Sequence, residues 1–204
     1  MDDARPDLRF FPDTAGWLAA AQHVFARRIA DLIAERTRAG AEIGLGYVPS
    51  AEAERLAQSL AAPATPDGVE GPLDPLPTAA LDDLPIGRLL TLAALPPGFA
   101  GWAALMLLGE TDARWGTLFA WLNDHAGARL PTAGLLAELA GDPGLPLAEL
   151  LAPDGPLCAL ALICDQDGDR PLPDRPLQWQ PQVVRWLLGD APRPGPTRRW
   201  RAFA

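Results

Sequence analysis

The chain contains no lysine; arginine supplies all of its 17 basic side chains. A phosphate-cradling P-loop needs a lysine to reach the phosphates, so nucleotide hydrolysis by that route is excluded. Serine occurs only at positions 50 and 59, and histidine only at 23 and 125. Nucleophilic catalysis is therefore poorly served, and His23 and His125 read as structural residues at helix positions. The two cysteines, Cys158 and Cys164, form no Cys-x-x-Cys and have no histidine pair nearby, so zinc spacing is absent. On one strand they would sit roughly 20 Å apart at about 3.3 Å per residue, whereas a disulfide needs Cα atoms within about 7 Å. Both read as reduced core residues. No apolar run approaches a membrane span; residues 99–108 come nearest and are soon followed by Glu110 and Asp112. The N-terminus reads Met1-Asp2-Asp3, acidic where a secretory leader is basic. These absences give the expectation of a cytoplasmic protein without catalytic residues, cofactor or metal.

What is present points to a folded, acidic protein. Hydrophobic residues make up 49% of 204 positions, enough to bury a core in one large domain or two small ones. The net charge of −9 disfavours nonspecific contact with nucleic acid or anionic membranes. A lysine-free, Arg/Ala/Pro/Leu-rich composition suggests a GC-rich bacterial genome. The 19 glycines and 23 prolines gather in stretches that punctuate the chain.

Hydrophobic periodicity orders the elements. Asp13-Thr14 offers an N-cap, and Trp17, Leu18, Ala21, Phe25, Ile29, Leu32 and Ile33 recur at helical spacing to about Arg38. Arg27, Arg28, Asp31 and Glu35 fall opposite, as a solvated face. Ser50 can cap a second helix to about Leu60. Residues 62–77, rich in proline, read as a linker. An apolar pattern over 81–95 gives one short helix, broken by Pro96-Pro97-Gly98. Phe99, Trp102, Leu105, Met106 and Leu108 fit another helix. Thr111 or Asp112 can cap the next, whose stripe is Trp115, Leu118, Phe119 and Leu122. Pro131-Thr132 starts a third, with Leu135, Leu136 and Leu139 inward. A short helix follows over 145–151. The unbroken apolar run 157–164 reads as a buried strand, residues 165–169 as a hairpin-type loop, and 177–180 as a short return strand. Pro181 at a first helical position opens a last helix to Gly189. The fold class is mainly α: a helical N-terminal region (1–62), a Pro/Gly-rich linker (63–80), a connecting helix (81–97), a winged-helix domain with helix-turn-helix and β-hairpin (98–190), and a Pro/Arg-rich tail (191–204).

Residues 99–189 resemble a known family. The text that carries the likeness is Ala103 with Leu105-Met106-Leu107-Leu108, then Asp112-Ala113-Arg114-Trp115-Gly116, then Leu118-Phe119-Ala120-Trp121-Leu122-Asn123-Asp124. Arg129-Leu130-Pro131-Thr132 follows, with the helix of Leu135, Leu136 and Leu139, then Pro176-Leu177 and the run Val183 to Gly189. This text resembles the winged-helix region that precedes the ATPase domain in AAA+ ATPases associated with bacterial phage-tail-like contractile injection systems. The family's helix ends on two acids, where this chain has Asp124 and His125. Of the basic stretch that follows there, Arg129 alone remains. The resemblance covers a little under half of the chain and implies a non-catalytic module that recognises or assembles a protein partner. It also implies a possible homo-oligomer through an ATPase domain, a domain whose P-loop lysine this chain lacks.

Contact with a protein partner is the leading expectation, with candidate positions at Arg129, Glu138 on the third helix, and Asp165, Asp167 and Asp169 on the wing. A divergent DNA-binding regulator is the alternative. Its recognition helix, 132–140, carries no base and one acid, and residues 99–190 hold twelve acids against five arginines, the wrong sign for a phosphate-tracking surface. Arg193, Arg198, Arg199, Trp200 and Arg201 form one basic cluster, which reads as a linker. Asp165, Asp167 and Asp169 imitate the start of a calcium loop, but Arg170 stands where glycine is needed and Pro176 where a glutamate is needed.

Overall fold

The computed structural model describes residues 11, 13–39, 48–61, 81–140, 145–165 and 169–189. The anticipated linker and the Pro/Arg tail lie outside the described residues. Those described are mainly helical, with one small two-stranded antiparallel sheet.

The chain opens with α1 (Thr14–Arg38) and α2 (Ser50–Ala61). Asp13 caps α1: its extended backbone lets the carboxylate accept from the Gly16 amide at 2.7 Å. Next among the described residues come α3 (Pro85–Leu92), α4 (Phe99–Thr111), α5 (Ala113–Leu122) and α6 (Ala133–Ala140). Of the two possible caps for α5, Asp112 is the one used; it accepts from the Arg114 amide. Thr132 Oγ1 accepts from the Leu135 amide and starts α6. Two four-residue helices follow, α7 (Leu147–Leu150) and α8 (Pro156–Ala159). Strand β1 (Ile163–Asp165) pairs antiparallel with β2 (Leu177–Trp179), Ile163 opposite Trp179. A 3-10 turn lies between them at Leu172–Asp174, and α9 (Pro181–Leu187) closes the described order.

One apolar run folds otherwise than its pattern suggests. Residues 157–164 are not a strand throughout. Pro156 occupies the first helical position of α8, Ala161 turns left-handed (φ 51°), and only Ile163–Asp165 is extended. A short apolar run does not distinguish buried helix from buried strand; the proline and the turn at Ala161 decide it. Cys158 and Cys164 consequently fall on different elements, both half-buried and neither in a disulfide.

Helix α4 is the centre of the fold. Nine of its residues are buried, on all sides of the helix, as expected of a helix enclosed by others. Helices α1, α3, α5 and α6 and strand β2 all pack on it. Trp17, Phe25, Ile29 and Ile33 of α1 share one core with Phe99, Trp102 and Leu105 of α4 and Trp115 and Phe119 of α5. Each such side chain contributes about 1.5–3 kcal/mol on burial.

The polar side of α1 is not simply solvated. Arg28 donates to the Leu139 carbonyl at 2.6 Å, and Arg36 to the Leu122 carbonyl at 3.0 Å. Gln22 Nε2 donates to the Leu60 carbonyl, and His23 Nδ1 meets the Ala61 carbonyl at 2.6 Å. One helix thus satisfies last-turn carbonyls of α2, α5 and α6, groups that a helix end leaves without partners. We expect Arg28→Ala and Arg36→Ala each to cost about 1–2 kcal/mol in urea unfolding, since each orphans a carbonyl. Glu138→Gln should cost under about 0.5 kcal/mol, because its ion pair with Arg36 is exposed. Equal losses in Arg36→Ala and Glu138→Gln would show that the carbonyl bond contributes nothing.

Three helices end on non-glycine residues in the left-handed region: Ala94 (φ 49°), Asp124 (φ 51°) and Ala161 (φ 51°). In each, the next amide bonds back five residues, Leu95 to Leu90, His125 to Ala120 and Leu162 to Leu157, the pattern that favours glycine at the turning position. Ala94→Gly and Ala161→Gly are each expected to raise stability by about 0.5 kcal/mol, since alanine is strained there. Asp124→Gly should gain less, because aspartate tolerates this conformation. A lowered melting temperature in both alanine variants would contradict this reading.

Candidate functional site

Of the five anticipated contact positions, Arg129, Glu138 and Asp169 have described side chains, and each is exposed. Arg129 is exposed and lies along α5, its Nη2 donating to the Ala113 carbonyl at 3.2 Å and reaching Thr117 Oγ1 at 3.4 Å. It steadies the α5–α6 connection from the outside. Inside that connection Asn123 does the same, donating to the carbonyls of Ala128 and Leu130 and accepting from Thr132 Oγ1. Sequence reasoning quoted Asn123 without giving it this role; a polar residue immediately after an apolar stripe was the available signal.

Glu138 is exposed but occupied. Both carboxylate oxygens accept from Arg36 Nη2, at 3.1 and 3.0 Å. The third-helix face at Glu138 is exposed, and an α1 arginine sits on it. Of the acids expected on the hairpin loop, Asp169 is exposed. Asp165 belongs to β1 opposite Leu177, and Asp167 lies outside the described residues.

Helix α6 is flanked twice. On one side α1 supplies Arg28 and Arg36. On the other, the segment before β2 folds over its N-terminus: the Ala133 amide donates to the Arg175 carbonyl, and the Leu177 amide to the Pro131 carbonyl. Gly134 allows this approach, because a Cβ there would stand 3.1 Å from the Pro173 carbonyl oxygen. Thr132 also forms a lone antiparallel bridge with Pro176. The segment at Thr132 therefore lies beside the β2 end of the hairpin, in the spatial order 132, β2, β1.

Local electrostatics are modest. The Arg114 guanidinium, bonded to both oxygens of Asp112, holds that carboxyl below the usual carboxylate range. Burial, with the Glu110 charge second, pushes the Cys164 thiol up, which keeps it protonated and unreactive near neutral pH. Among the described residues no group of three His, Cys, Asp or Glu side chains is placed to hold a metal ion, and no helix is long and apolar enough to cross a membrane. The exposed large hydrophobic side chains among the described residues are Leu92, 57% exposed, and Leu188, 44% exposed. In the sequence each continues an apolar helical pattern, Leu188 within the run 183–189. No protein-family model matches the chain, nor does any curated protein or solved structure.

Proposed function

We propose that this chain is a non-catalytic protein-interaction module, the winged-helix-bearing N-terminal part of an AAA+ ATPase that serves a contractile injection system in the bacterial cytoplasm. The observation that carries the reading is the bridge between Thr132 and Pro176. With it, the chain runs α4, α5, a one-residue strand at Thr132, α6, β1, β2, and the strands lie in the spatial order 132, β2, β1. This order supports a winged-helix reading, in which α7 and α8 stand before the hairpin.

The same segment argues against DNA. A recognition helix presents its N-terminal residues to base edges in the major groove. Here the N-terminus of α6 is covered by residues 173–177, and its C-terminal half is tied to α1 through Arg28 and Arg36. A protein partner, met by surface side chains, is compatible with both.

Size fractionation and cross-linking of source-cell extracts tests the proposal. The chain should co-fractionate with ATP-hydrolysing activity, as one polypeptide with a P-loop domain or in stoichiometric complex with one. Recovery of the chain alone would overturn the ATPase reading. Fluorescence anisotropy with duplex DNA should show no binding; affinity that falls steeply with salt would install the DNA-binding regulator in its place.

A further inference from the structure

We draw no further inference here: the strongest candidate, the exposed apolar surface of Leu92 and Leu188 at the ends of α3 and α9, rests on two singly exposed side chains, and nothing in the structure shows what covers them.

Discussion

Trp179→Ala should remove about 3–5 kcal/mol from the unfolding free energy, the range for truncating a fully buried tryptophan. Trp179 is wholly buried and joins the hairpin to the central helix in two ways. Its ring meets Phe99 edge to face, 6.0 Å between centroids at 86°, and its Nε1–H donates to the Ala103 carbonyl at 3.3 Å. Four other buried indoles, those of Trp17, Trp102, Trp115 and Trp121, have no acceptor for that proton. Truncation therefore opens a cavity and also cuts the polar tie between β2 and α4. Trp179→Phe keeps most of the apolar area and should lose about 1–2 kcal/mol. Urea unfolding of both variants measures this, with amide exchange at Cys164 and Gln178, the paired positions of the hairpin, reporting whether it loosens first. A loss below about 1.5 kcal/mol for alanine would mean that the hairpin is not anchored through this residue.

Gly87→Ala should destabilise by more than about 2 kcal/mol, although the same change within a helix ordinarily gains up to about 1 kcal/mol. The sign reverses because of what lies beside α3. A Cβ at position 87 would run into the carbonyl oxygen of Leu81, with its carbonyl carbon at 2.5 Å and Asp82 Cα at 3.0 Å. These are backbone atoms and cannot swing aside as a side chain can. The carbonyl is also engaged, accepting from the Leu84 amide at 2.8 Å. The added methyl must push the whole entry to α3 outward, with Leu81 and Leu84, both buried. A melting temperature at or above wild type would show that this entry is loosely held.

The elements most faithfully written in the sequence are those that combine a cap with a long stripe. Asp13 and seven periodic apolar residues define α1 to its last turn, and Asp112 with Trp115, Leu118, Phe119 and Leu122 does the same for α5. The run 157–164 misleads because its turn rests on Ala161, an alanine in a conformation that alanine does not advertise. Arg28 reads as solvated, and Arg36 goes unremarked, for a different reason. Their acceptors are backbone carbonyls of other helices, and a carbonyl has no letter in a sequence. The anticipated site suffers likewise: nothing in the local text around Glu138 announces Arg36. Leu92 and Leu188 are the converse case, apolar letters that fit a helical stripe and nevertheless end outside the core.

The reach of α1 has a consequence for how the chain is made. Arg28 finds its acceptor 111 positions later, and Arg36 finds Glu138 102 positions later. At synthesis rates of about 5–20 residues per second, α1 waits roughly 5–20 seconds for α6 to follow it out of the ribosome. Until α4 follows, only α2 is at hand, through Gln22 and His23. The stripe of Trp17, Phe25, Ile29 and Ile33 is then without α4, which makes the newborn hairpin a natural client for a chaperone that grips aromatic and branched side chains.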